Sequence, residues 1–159
     1  MEDVETLLQP YVGYLSLGMY DDANEALESL PTEIKTHRLV LWARLDLLVE
    51  MRKWEEGVLL GESLCKLWPD QREFVIRTAY CLHELKRTAE AKDMLLNAPA
   101  SHRESAVFNY NLACYETQLG NIDEAKKLLV SCFQKDKDFR GQALDDPDLE
   151  PLWESIGAL

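Results

Sequence analysis

Apolar residues recur three and four positions apart along most of the chain, which is the period of an amphipathic helix. No run of alternating, β-branched residues competes with it, and seven glycines and six prolines interrupt 159 residues only sparsely, so the pattern predicts an all-helical protein. A second, longer period lies over the first. The segments GMYDDANEAL from Gly18, RKWEEGVLLG from Arg52, KRTAEAKDML from Lys86 and GNIDEAKKLL from Gly120 start 34 residues apart each time. Small residues at Ala23, Gly57, Ala91 and Ala125 keep that spacing, as do the acidic residues before them, Asp22, Glu56, Glu90 and Glu124. In the third segment the spacing predicts one helix to about Leu85, a turn at Lys86 and Arg87, and a second helix from TAEAKDMLL.

This ungapped period resembles the tetratricopeptide repeat (TPR), a helix-turn-helix unit of the same length, over residues 4 to 139. The resemblance implies an all-α, right-handed superhelical solenoid of antiparallel helix pairs. It implies one domain, 1–159, with repeats at about 4–37, 38–71, 72–105 and 106–139 and a capping tail at 140–159. With the small residues above at phase 20 of each repeat, phase 8 holds Tyr11, Leu45, Ala79 and Ala113, and phase 24 holds Leu27, Gly61, Leu95 and Leu129. Small side chains at phases 8 and 20 let two backbones approach while larger residues fill the gaps. Departures are informative. Pro10 lies inside the first helix, which must kink there or begin there. Pro31 and Pro99 sit at phase 28, four positions before the family's usual proline, kept here as Pro69, and predict short second helices in repeats one and three. Gly61, in a slot for a large residue, implies a close approach or a shallow hole.

Solenoids expose the apolar edge of their last repeat and need a cap. Leu144, Leu149, Leu152, Trp153 and Ile156 supply an apolar face for one, and the ending is similar to the closing segment of many bacterial repeat proteins of the family. Asp145, Asp146, Asp148 and Glu150 lack the alternating ligand positions and central glycine of a calcium loop, so the expected role is turn formation and capping, with no metal.

Composition narrows the function. Seventeen Lys and Arg against 29 Asp and Glu give a net charge of -12, which disfavours nucleic acid and anionic membrane surfaces as partners. The start, MEDVETLLQP, lacks the basic and apolar regions of a signal peptide, and no window suits a membrane span, so the expected address is cytoplasmic. Cys65, Cys81, Cys114 and Cys132 stand far apart without a C-x-x-C pair and read as reduced packing residues. Among His37, His83 and His102, only His83 beside Glu84 makes a pair worth naming as a general base, with Cys114 as the nearest nucleophile in phase. Neighbours on a helix point apart and no catalytic motif accompanies them, so no enzyme activity and no cofactor are expected.

A binding surface is what remains. In the family, phases 2, 5, 9, 12 and 13 of the first helices face the concave groove. Phase 5 carries Leu8, Trp42, Ile76 and Tyr110; phase 9 carries Val12, Asp46, Tyr80 and Cys114. His83 adds phase 12, and Arg77 and Asn111 stand one residue after phase 5 in repeats three and four. The clamp that grips chaperone C-termini in some members needs basic and amide residues where this chain has Leu8, Val12, Ala43 and Glu73, so only Arg77 fits it. An apolar, aromatic floor suits an apolar or amphipathic peptide, and an acidic rim favours Lys or Arg flanking it. The expected role is therefore a protein-interaction adaptor. Two alternatives stand beside it: a secretion or assembly chaperone for one client, and a self-associating structural protein, a homo-oligomer.

Overall fold

The computed structural model describes residues 3–159, and among these every regular element is helical. The first helix is kinked: α1 (Val4–Leu7) passes through Leu8 into α2 (Gln9–Ser16). Pro10 has no N–H to give and its ring crowds the preceding turn, yet Leu8 keeps right-handed helical backbone angles, so the helix bends without breaking. Then follow α3 (Tyr20–Glu28), α4 (Arg38–Glu50), α5 (Trp54–Leu67), α6 (Arg72–Glu84), α7 (Thr88–Leu96), α8 (Ala106–Gln118) and α9 (Ile122–Lys135). The chain ends in α10 (Phe139–Asp145), a 3-10 segment (Pro147–Leu152) and α11 (Trp153–Ile156).

The helix starts repeat the sequence period. Val4, Arg38, Arg72 and Ala106 begin one set at 34-residue intervals, and Tyr20, Trp54, Thr88 and Ile122 begin the other. Each helix of the first set packs on the next helix in the chain, and that helix packs on the one after it, so the pairs stack in chain order. Within the second set, α3 and α7 have 9 residues where α5 and α9 have 14. Pro31 and Pro99 account for this: each disfavours helical angles at the residue before it, and each opens a 3-10 segment with almost the same backbone angles.

Every turn inside a pair uses the same device. Gly18, Arg52, Lys86 and Gly120 all have positive φ, at 69, 57, 63 and 86°. Each donates its N–H to the carbonyl three residues back, and the next residue donates to the carbonyl five back, as in Lys86 to His83 and Arg87 to Leu82. These are Schellman caps, which satisfy two of the carbonyls a helix end leaves open. Glycine takes the left-handed conformation without steric cost; Arg52 and Lys86 do not.

The core follows the small-residue frame. Ala23, Ala91 and Ala125 are fully buried, as are Ala79 and Ala113 on the facing helices and Leu27, Leu95 and Leu129 beside them. Gly61 is a close approach: a Cβ there would lie 2.0 Å from Thr78 Oγ1, so α5 meets α6 across a gap that Thr78 already fills. Thr78 turns its hydroxyl back to the Phe74 carbonyl at 2.6 Å, which lets a polar residue sit fully buried. At the far end, Leu149, Leu152 and Ile156 are buried and continue the core of α8 and α9, so the tail covers the edge of the stack.

Arg52→Gly and Lys86→Gly each remove a left-handed L-residue from an exposed turn and are expected to stabilise the fold by about 1 kcal/mol. In thermal unfolding the double variant should melt about 4–8 °C above wild type. Gly61→Leu should instead cost roughly 3 kcal/mol or more by driving α5 off α6, and the same measurement shows it.

Candidate functional site

The first-set helices α4, α6 and α8 lie side by side and frame an open groove of about 460 Å³. Its walls carry Trp42 from α4, Arg72, Glu73, Ile76, Arg77 and Tyr80 from α6, and Val107 and Asn111 from α8, with Ser105 at the start of α8. Five of these, Trp42, Ile76, Arg77, Tyr80 and Asn111, are groove residues expected from the sequence. Val107, 40% exposed, adds an apolar side chain.

The aromatic residues are held, not loose. Trp42 is tilted against Phe74 at a ring distance of 6.1 Å, and Tyr80 meets Trp54 edge to face at 5.8 Å. The Arg77 guanidinium lies over the Trp42 ring at 5.5 Å. One of its nitrogens is 2.7 Å from Asp46 Oδ1 but off the N–H direction, so the contact is an ion pair more than an aligned hydrogen bond. Asp46 Oδ2 also lies 3.5 Å from the Tyr11 hydroxyl, which donates to the Ala43 carbonyl at 3.0 Å and ties the kinked first helix to α4. Asp46, expected as a groove residue, thus anchors Arg77 and Tyr11. Burial and the carboxylates of Glu84, Asp146 and Asp148 push the Tyr80 hydroxyl above its ordinary pKa, which keeps it a neutral donor.

Other expected groove residues are used differently. Leu8 is buried with Tyr11, Val40 and Leu47 in the first core and lies outside this groove. Val12 is 50% exposed but lies outside this groove. Tyr110, His83 and Cys114 are 3, 5 and 4% exposed because the chain's own tail covers them. Tyr110 donates to Asp146 Oδ2 at 2.7 Å and lies tilted against Phe139 at a ring distance of 5.1 Å. His83 Nε2 is 2.7 Å from Asp148 Oδ2, its Nδ1 is 2.9 Å from the Thr88 hydroxyl, and Gln118 donates to the Asp148 carbonyl at 2.8 Å. The aromatic stripe is therefore open over α4 and α6 and closed over α8. Repeat phase marks the whole stripe; the tail decides which part a partner can touch.

Cys114 has no nucleophile's surroundings. Burial, then Asp146 and Asp148, push its thiol well above the ordinary range, and burial likewise takes Cys81 and Cys132 to about 11. Cys114 Sγ and carboxylate oxygens of Asp146 and Asp148 gather within 4.8 Å of one another, a cluster a metal could use. The protein already engages those oxygens. Asp146 Oδ1 caps the 3-10 segment by accepting from the Asp148 N–H at 3.0 Å, its Oδ2 takes the Tyr110 hydroxyl, and Asp148 meets His83. The tail aspartates are thus turn-forming and docking groups.

Periodicity had no means of finding the His83–Asp148 contact, which joins residues 65 apart across the repeat frame. Arg72 and Ser105 lie outside the groove phases and were missed; Val107 and Glu73 stand at phase 2, a groove phase, without having been singled out as groove residues.

No protein-family model matches the chain, and no curated protein does. Solved structures do resemble it. One named MamA MSR-1 C2 shares 22% identity at a TM-score of 0.67, covering 86% of this chain and 79% of its own. Another, MamA AMB-1 C2221, shares 22% at 0.65 over 84% and 79%. A third, a mutant of MamA, shares 21% at 0.64 over 85% and 78%. The fold is a TPR-type helical solenoid. The groove lies over α4, α6 and α8, and the tail lies on α8 beside it. No helix among the described residues is long and apolar enough to cross a membrane.

The tail's attachment has a pH signature. The His83 contact, with help from Lys86, holds the Asp148 carboxyl below its ordinary value of 3.8. A depressed carboxylate pKa contributes stability above the unfolded value and loses it as pH falls through the folded value. Asp148→Asn should therefore cost about 1 kcal/mol between pH 5 and 7, modest because the side chain is a third exposed, and the gap to wild type should close below about pH 4. Denaturant unfolding of both chains across pH 3–7 checks this.

Proposed function

We propose that the chain is a non-enzymatic protein-interaction adaptor: four TPR units, with divisions near residues 37, 71 and 105, closed by the tail from residue 140, whose open groove holds an apolar or amphipathic peptide segment. The observation that carries this reading is the open half of the aromatic stripe. Trp42, Ile76, Tyr80 and Val107 face a groove of about 460 Å³ that none of the described residues fills, while the same stripe over α8 holds a peptide segment already, the tail. Rigid aromatic side chains bury much area with few rotamers to freeze, so they suit hot spots, and Trp42 and Tyr80 are braced by Phe74 and Trp54.

Affinity capture from lysate of the source cells, comparing wild type with a folded Trp42→Ala, Tyr80→Ala variant, tests the reading. A bound protein should fall at least roughly tenfold in yield with the variant. Equal recovery of the same proteins by both chains would move the interaction off this groove. One dominant client whose solubility depends on the chain would favour the chaperone alternative.

A further inference from the structure

Two observations converge on what kind of peptide the groove takes. The first is the segment that already lies beside it. Asp146 to Leu152 rests on α8 and α6 by giving one aspartate to the Tyr110 hydroxyl and one to His83, while Leu149 and Leu152 sink into the core. Tyr110 and Cys114 are the repeat counterparts, 34 residues on, of Ile76 and Tyr80 in the open half. These helices thus accommodate a segment that offers carboxylates to them on one side and leucines to the core on the other.

The second observation is the placement of charge around Trp42. Arg38 and Arg72 are the first residues of α4 and α6, where a cation opposes the positive end of the helix dipole. The second-set helices obey the dipole rule, with acids in the first turn of α3, α5, α7 and α9; α4 has none, and in α6 Glu73 follows Arg72. In a chain with 29 acids and 17 bases, partners for arginine are plentiful, yet among the described residues neither Arg38 nor Arg72 has a carboxylate within ion-pair distance. Arg38 bonds the neutral Gln71 side chain instead. Arg38 borders one side of Trp42, and Arg72 and Arg77 border the other. Two carboxylates oppose them: Asp46, tied to Arg77, and Glu73, which faces both sides. Placement against local stability is what a binding role leaves behind.

Resting on the adaptor reading above, we infer that the open groove recognises an acidic, leucine-containing linear segment, with carboxylates toward Arg72 and Arg38 and apolar side chains on Trp42, Ile76 and Tyr80. The chain's own tail shows that a segment with carboxylates and leucines lies on α8; the donors it uses there, Tyr110 and His83, have Ile76 and Val49 as counterparts one repeat back, so in the open groove the arginines would take that role. The partner is accordingly acidic, in contrast to the basic partner that overall charge favours, because a local cluster governs contact where net charge governs only long-range approach.

The test uses fluorescein-labelled peptides and anisotropy on the full chain: residues 145–152 of its own sequence, the same peptide with each acid replaced by its amide, and the same with each acid replaced by lysine. The acidic peptide is expected to bind at least roughly tenfold tighter than either counterpart. Arg72→Glu should cut its affinity at least roughly tenfold while raising the thermal midpoint, since an acid at that helix start suits the dipole; a misfolded variant could not do both. Tighter binding of the lysine peptide, still lost with Trp42→Ala, would overturn the acidic preference and leave the adaptor reading intact. No binding by any of the three would overturn the inference and count against a peptide groove. Acidic-peptide binding that ignores Arg72→Glu but strengthens with Tyr110→Phe would place the peptide in the tail's slot, and would also overturn it.

Discussion

The distance between neighbouring helices is set by what their contact residues lack. Ala23, Gly57, Ala91 and Ala125 carry at most a methyl group, and a Cβ at Gly57 would lie 2.6 Å from Cys81 Sγ. Leu27, Leu95 and Leu129, at another shared position of the repeat, are fully buried beside these contacts, and the pairs stack in chain order. Everything functional is built on that stacking. It aligns α4, α6 and α8 so that residues 34 apart form stripes along them, which is how Trp42, Ile76 and Tyr110 come to share one row.

The tail turns that uniform row into two unlike regions. A solenoid must cover its last apolar edge, and Leu149, Leu152 and Ile156 do so. The segment that carries them there also crosses α8, and its two aspartates seek donors on α8 and α6. Tyr110 and His83 supply them. Stability and occupancy are thereby coupled: the covering that completes the core also withdraws Tyr110, His83 and Cys114 from any partner. What stays open has arginines on both sides of Trp42, and Glu84, Asp146 and Asp148 near Tyr80. The groove therefore differs in charge across its width, a property that a net charge of -12 conceals.

The turns show how the frame tolerates poor local choices. Left-handed backbone occurs at the same position in all four pairs, twice as glycine and twice as arginine or lysine. The geometry is imposed by packing on both sides of the turn, so the residue conforms at a cost of about 1 kcal/mol. The first helix makes the same point: Pro10 bends it, but Tyr11 still reaches the Ala43 carbonyl and fixes it to α4.

From the sequence alone came whatever repeats. The helix starts, the short second helices that end before Pro31 and Pro99, the irregular packing slot at Gly61 and the row of Trp42, Ile76 and Tyr110 were legible because periodic packing writes the same steric demand at each interval of 34 residues. The tertiary structure alone decided whatever happens once. The tail belongs to no repeat, so its path across α8, its contact with His83 over 65 residues, and the burial of Tyr110 and Cys114 left no periodic trace. The charge around Trp42 is of the same kind: Arg38, Arg72 and Arg77 come from two helices, and only their packing shows which carboxylates reach them and which do not.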